Sequence, residues 1–215
     1  MKLISFEGIE GVGKSTQINL LKIFLESRNL SVEVHREPGS TLVGEKIREI
    51  LLDTSLELSN ESELLLMFAA RAELVKVQIL NCKSDFLLLD RFYDASLAYQ
   101  GYGRNIPIDF INSLIAYVKC PLPNKSFLLD IDVEEGFKRK QFDEKDRIES
   151  ASLDFFNNVR KGYLKIANDN KERIRIIDAT KDIETIHKQV VSELENELWN
   201  WKSILDKWYL WKFRF

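Results

Sequence analysis

The sequence predicts an α/β fold: a five-stranded parallel sheet flanked by helices. Three observations predict it. Short apolar runs alternate with longer amphipathic stretches. One run, Phe86-Leu87-Leu88-Leu89, is apolar without a break. The first run leads straight into a glycine-rich loop and a helical stretch. An unbroken apolar strand suits a sheet covered by helices on both faces, as parallel sheets are.

Leu3-Ile4-Ser5-Phe6 reads as the first strand. Ser15 to Ser27 reads as a helix because Ile18, Leu21 and Leu25 recur on one face. Ser31 to His35 is a second strand, and Ser62 to Leu80 a long helix. Phe86 to Asp90 is the third strand, followed by a helix over Ile108 to Val118. Phe127 to Asp130 and Ile174 to Ile177 complete the strands. Helical stretches of this length between strands imply βαβ units and parallel pairing.

A chain of 215 residues fits one compact domain, or a small domain with an inserted lid. No repeat or low-complexity linker divides it, so residues 1–195 are expected to form one domain. Two segments break the pattern. Lys138 to Ser150 is dense in charge, which suits either a solvated helix end or a mobile lid. The tail, 196–215, holds all four tryptophans, and its Leu198, Trp201, Leu205, Trp208 and Lys212 follow helical spacing. It suits packing within the protein or a dimer, or a helix meeting a membrane surface or a partner.

Bulk properties narrow the function classes. A net charge of -3 gives no general pull toward nucleic acid. No apolar run is long enough to span a bilayer, and Met1 to Phe6 runs into a strand, which argues against a cleavable leader. Cys82 and Cys120 lack metal-ligand spacing, so reduced structural thiols in a cytoplasmic protein are expected. His35 and His187 are too far apart to suggest a zinc site or a catalytic triad.

Gly8-Ile9-Glu10-Gly11-Val12-Gly13-Lys14-Ser15 matches the G-x-x-x-x-G-K-[ST] phosphate loop, between a predicted strand and a predicted helix. Glycines let the backbone wrap so that successive N–H groups face phosphate oxygens, and the helix N-terminus adds partial positive charge. With Thr16, these residues form the expected ATP-binding segment. Lys14 would face the β- and γ-phosphates, and the Ser15 hydroxyl could ligate Mg²⁺. Asp90 ends a strand at the edge of a parallel sheet that faces ligands, so it could hold the same Mg²⁺, directly or through water. The loop alone leaves nucleotide kinases, switch GTPases and motor or transporter ATPases open. A GTPase would need an Asn-Lys-x-Asp run after a strand. Asn124-Lys125-Ser126-Phe127 lacks the acid and precedes its strand.

Four further segments carry a family resemblance. They are Arg36-Glu37-Pro38-Gly39-Ser40-Thr41; Phe68-Ala69-Ala70-Arg71-Ala72-Glu73-Leu74; Asp90-Arg91-Phe92 with Ser96 to Gly101; and Asp146-Arg147-Ile148-Glu149 with Asp154 to Leu164. In order and spacing, with the phosphate loop, they resemble bacterial thymidylate kinase over residues 1 to 195. That resemblance implies a doubly wound sheet, a homodimer, and MgATP-dependent phosphorylation of dTMP to dTDP in dTTP biosynthesis.

Carried over by position, Arg91 resembles the arginine that holds the acceptor phosphate. Arg36 and Arg48 look like further acceptor-site cations, beside Glu37, Pro38 and Tyr99. Glu10 sits where the family puts an acid facing the deoxyribose 3′-hydroxyl. Arg71, Ser96 and Gln100 resemble the base site. The family usually stacks a phenylalanine on thymine four residues before that arginine; here the position is Met67, and the phenylalanine is Phe68. Gly11 stands where some members carry a loop arginine, so the extra catalytic cation is expected from Lys138, Arg139, Lys140, Lys145 or Arg147. Arg147 has a second implied role, stacking on adenine. Two alternatives stand beside this reading: a kinase for another nucleoside monophosphate, and a P-loop switch protein.

Overall fold

The computed structural model describes residues 1–140 and 145–194. Its centre is a parallel sheet in the order β2-β3-β1-β4-β5. The strands are β1 (Lys2–Glu7), β2 (Val32–Arg36), β3 (Phe86–Asp90), β4 (Lys125–Asp130) and β5 (Ile174–Asp178). All five match the expected strands to within two residues at either end. In β1 and β3, alternate side chains enter two cores. Ile4, Phe6 and Leu88 join one cluster with α1 (Lys14–Glu26), while Leu3, Leu87 and Leu89 join another with Leu74 and Val75. Both faces are therefore covered, which accounts for the unbroken apolar run of β3.

The remaining elements are α2 (Leu42–Leu52), α3 (Asn60–Val77), α4 (Tyr93–Ser96), a π-helical segment (Leu97–Gly103), α5 (Ile108–Val118), α6 (Val133–Arg139), α7 (Leu153–Asp169) and a helical run over 183–194. Several start at side-chain caps, which satisfy N–H groups that a first helical turn leaves unpaired. Thr41 accepts from Gly44 N–H at 2.9 Å, Ser59 from Ser62 N–H at 3.1 Å, and Ser152 from Phe155 N–H at 3.2 Å. The long helix expected over Ser62 to Leu80 ends earlier, at Val77, and a 3₁₀ turn over Ile79–Asn81 follows. The helices α2, α6 and α7 lie in stretches where no element was expected.

The topology positions the site. From β1 the chain crosses through α1 to the edge strand β2; from β4 it crosses to the opposite edge, β5. The adjacent C-terminal ends of β1 and β4 thus face a switch point, the usual ligand crevice of an open α/β sheet. The phosphate loop emerges there. The expected tail, 196–215, and part of the expected lid, 141–144, lie outside the described residues.

Candidate active site

Two glycines hold the loop against β4 and α6. Gly8 (φ 133°) has no room for a Cβ, which would lie 2.4 Å from Leu129 O. Gly11 (φ 74°) lies against α6, where a Cβ would meet Gly136 O at 2.0 Å. An arginine at that position would need both a strained backbone and displacement of α6. Ile9 and Val12 turn their side chains into the core, so they offer only backbone to a ligand.

Lys14 is buried, and its ammonium donates to Ile9 O at 2.8 Å and Gly8 O at 3.3 Å. Burial, with the nearby Arg91 charge, pushes its pKa down to about 8. Ser15 Oγ donates to Asp90 Oδ2 at 3.0 Å. Register contributes to that meeting by pairing Asp90 with Phe6, just before the loop begins, and the loop then returns the chain to Ser15 at the start of α1.

Arg91 follows in a left-handed conformation (φ 70°), with its N–H donating to Phe6 O at 3.0 Å. Its guanidinium donates to Gly8 O at 2.6 Å, Tyr163 Oη at 3.1 Å and Glu10 Oε1 at 2.7 Å. Burial opposes its charge, but Tyr99, Glu10 and other neighbours outweigh that and hold its pKa well above the ordinary value. Tyr99 Oη donates to Glu10 at 2.8 Å, and the Tyr99 ring lies 5.0 Å below the Arg91 guanidinium.

The second wall comes from α3 and the π-helical segment. Arg71 is 2% exposed and clamps Glu37 through Nε (2.9 Å) and Nη2 (2.6 Å). Its Nη1 donates to Ser96 Oγ at 2.9 Å. Burial works against the Arg71 charge, and Glu37 more than offsets it. Met67, one turn before Arg71, lines the cavity together with Pro38, Ser96, Tyr99 and Gln100. Phe68 does not. It packs with Leu64 and Ile111, its ring 4.6 Å beneath the Arg71 guanidinium. The choice between Met67 and Phe68 is therefore geometric: only Met67 lies on the cavity-facing stripe of α3.

The cavity measures about 510 Å³ and runs from the phosphate loop to this wall. Arg36 and Arg48 reach its rim. Arg36 pairs with Glu45 at 3.0 Å, and Arg48 donates to Pro38 O at 2.9 Å. From α6, Arg139 lines the cavity while donating to Ala179 O at 3.0 Å; Lys140 lines it while paired with Glu149. Lys138 and Lys145 lie on a separate groove beside Phe137. Arg147 is not among the lining residues. Its guanidinium donates to Leu51 O at 2.8 Å and to Glu63 at 2.8 Å, between α2 and α3.

Three residues of this site escaped sequence reasoning. Glu7, at the end of β1, accepts from Phe92 N–H at 2.9 Å and Tyr163 Oη at 3.2 Å. Burial, with Asp94 nearby, pushes its carboxyl up to about 8. Tyr163 joins Glu7 to Arg91. Glu63 collects Gln100, Arg104 and Arg147. One signal was available: Glu63, Met67 and Arg71 are spaced i, i+4, i+8 and share a helix face.

A phosphate loop with a buried lysine, a hydroxyl–carboxylate pair beside it and an arginine-lined second pocket defines a P-loop kinase for a small phosphorylated acceptor. The family model for thymidylate kinase matches residues 6–190. The chain is 45% identical to the thymidylate kinase of Kosmotoga olearia over 194 residues, 88% of this chain and 93% of that protein. It is 43% identical to that of Chlorobaculum tepidum, over 90% and 96% of the two chains. A crystal structure of thymidylate kinase from Ehrlichia chaffeensis superposes with a TM-score of 0.74 at 33% identity, covering 90% of this chain and 98% of that one. The chain belongs to the thymidylate kinase family, and it is an enzyme that transfers a phosphoryl group from ATP to dTMP.

Proposed function

We propose that the cavity holds both substrates in line, with the ATP phosphates on residues 8–16 and dTMP between Arg91 and the α3 wall. The observation that carries this reading is the position of Arg91. It touches the phosphate loop through Gly8 and Glu10 and the acceptor wall through Tyr99, so one guanidinium spans the two halves.

Loop N–H groups and Lys14 neutralise the charge that develops on the transferring group. Arg91 orients the dTMP phosphate, with Arg36 and Arg48 at the rim adding positive potential. Glu10 and Tyr99 face the deoxyribose. Met67 lies against the thymine ring, a role its polarisable sulfur suits. Arg71, Ser96 and Gln100 meet the base edge. Arg139 is the cation of α6 nearest in role to the missing loop arginine. The acceptor phosphate is already an anion and needs no strong base, and no histidine lines the cavity.

The donor set fits Mg²⁺. Ser15 Oγ and Asp90 Oδ2 are hard oxygen ligands 3.0 Å apart beside Lys14, and one or two protein ligands suffice for an ion that keeps water and phosphate oxygens. Held there by Ser15 and Asp90, Mg²⁺ would offset the negative charge of the ATP phosphates. We further propose one catalytic domain over 1–195, a homodimer and a cytoplasmic location. Exposed Leu65, Leu80, Phe110 and Tyr117 on or beside the packed helices α3 and α5 favour self-association. The free thiols of Cys82 and Cys120 favour a reducing compartment. No helix among the described residues is long and apolar enough to cross a membrane.

ADP release at saturating ATP, with and without dTMP, tests this reading. Turnover should depend on dTMP and cease when Mg²⁺ is chelated. Equal ATP hydrolysis without an acceptor would instead favour a switch protein.

A further inference from the structure

Glu63 is 1% exposed on α3, one turn below Met67. A buried carboxylate without partners is costly, and this one has three. Gln100 Nε2 donates to its Oε1 at 3.0 Å; Arg104 and Arg147 donate to its Oε2 at 3.2 and 2.8 Å. Burial raises the Glu63 pKa, but these donors together outweigh burial and hold it below the ordinary carboxylate value.

An ionised carboxylate only accepts hydrogen bonds. Facing Glu63, the Gln100 amide must therefore present its NH₂, and its carbonyl oxygen is turned the other way. That oxygen accepts nothing from any described residue and is not a buried unsatisfied atom, so it opens onto the cavity that Gln100 lines. A free glutamine amide could flip and serve either a donor or an acceptor on a bound base. This one cannot flip without setting its oxygen against a carboxylate. The π-helical turn contributes, because it carries Tyr99 to Glu10 and Gln100 to Glu63 from successive positions.

We propose that Glu63 is a specificity-determining positioning residue: by fixing the Gln100 amide with its carbonyl toward the acceptor, it restricts the site to pyrimidines that carry N3–H. Thymine and uracil carry that donor. Cytosine presents a lone pair at N3 and is turned away there, independently of its amino group. Glu63 does not touch substrate; it acts through Gln100. The inference rests on the reading that this cavity takes the dTMP base.

The test isolates N3. The 2-pyrimidinone deoxynucleoside monophosphate has a bare N3 lone pair and no group at C4. The 2-pyridone analogue has C–H at the same position. Their dissociation constants are measured by competition with dTMP on wild type, Glu63→Gln and Arg104→Gln. A fixed carbonyl repels the N3 lone pair, so wild type should bind the pyridone about tenfold tighter or more, the scale of one mismatched buried hydrogen bond. In Glu63→Gln the Gln100 amide can turn and donate to N3, so the preference should vanish or reverse. Arg104→Gln removes another partner of Glu63 but leaves the Gln100 bond, so it should keep the wild-type order. A purely structural role for Glu63 would weaken both analogues equally. A wild type that binds the pyrimidinone better overturns the proposal by itself, even where Glu63→Gln fails to fold. An unchanged order in folded Glu63→Gln also overturns it. If neither analogue competes with dTMP, the placement of the base fails first, and the proposal with it.

Discussion

Replacing Arg71 with methionine should destabilise the protein by several kcal/mol, chiefly through Glu37. Both side chains are buried, and the clamp uses Nε and Nη2 of one guanidinium. Breaking a buried pair from one side strands the other charge, which typically costs about 3–5 kcal/mol. Methionine keeps the aliphatic stem but loses the contact over Phe68, a further loss on the order of 1 kcal/mol. For a domain of this size, about 3 kcal/mol lowers Tm by roughly 6–12 °C. The sign with pH is fixed. Burial outweighs Arg71 and already holds the folded Glu37 pKa above its ordinary value, and removing Arg71 raises it further, so the folded carboxyl binds its proton more tightly than the unfolded one. The stability loss is then full at neutral pH and shrinks as pH falls toward the ordinary value of 4.5. Urea unfolding of Arg71→Met near neutral and mildly acidic pH reads this directly, and Arg71→Met with Glu37→Leu should recover most of the loss. A loss below about 1 kcal/mol, or a double variant no better than the single one, would refute the reasoning.

Lys14→Ala should lower kcat about a hundredfold, near 3 kcal/mol of transition-state stabilisation, and leave the urea midpoint unchanged or raised because a desolvated ammonium is removed. A folded variant that keeps more than about a third of wild-type turnover would exclude that electrostatic role. Gly11→Arg should not import a catalytic arginine. Its Cβ would strike Gly136 O, so about 2 kcal/mol or more of stability should be lost along with turnover, and a stable, faster variant would contradict the packing described. Burial raises Glu7 to about 8 in the folded state, so its contribution to stability is present at acid pH and lost as pH rises from 4.5 through about 8. Glu7→Gln should therefore gain on wild type progressively across that window, whereas a constant difference in unfolding free energy at both ends would count against a desolvated Glu7.

Much of this architecture was legible because it follows from local periodicity. The five strands were visible as apolar runs, and the phosphate loop as a motif set between a strand and a helix. The period of α7 was present in the sequence and unread: Phe155, Phe156, Val159, Tyr163 and Ile166 recur at helical spacing and are buried. The segment after Asp90 is an α-helical turn that widens into a π-helical one, which has no 3.6-residue signature. Within the site, motif positions were readable, but partners were not. Arg71 and Glu37 are distant in sequence, and only the fold shows that most of the guanidinium is spent on a carboxylate. Arg147 resembles a donor-site cation by its position in the family pattern; the structure bonds it to Glu63 and Leu51, partners that no local pattern reveals. Gln100 taken alone discriminates weakly, and the residue that orients it lies on another helix.

The central claim is that the arginine-lined wall is built for thymine on a monophosphate. A coupled ADP-release assay measures kcat/KM for dTMP, dUMP, dCMP, AMP and GMP under one set of conditions. The highest value should be for dTMP. The thymine methyl adds only about 1 kcal/mol, so dUMP should follow within roughly tenfold. dCMP should fall far below both, because its N4 amino group opposes Arg71 and its N3 opposes the Gln100 carbonyl, and the purine nucleotides should fall lower still. Comparable rates for dTMP and dCMP, or a purine nucleotide as the best acceptor, would contradict it.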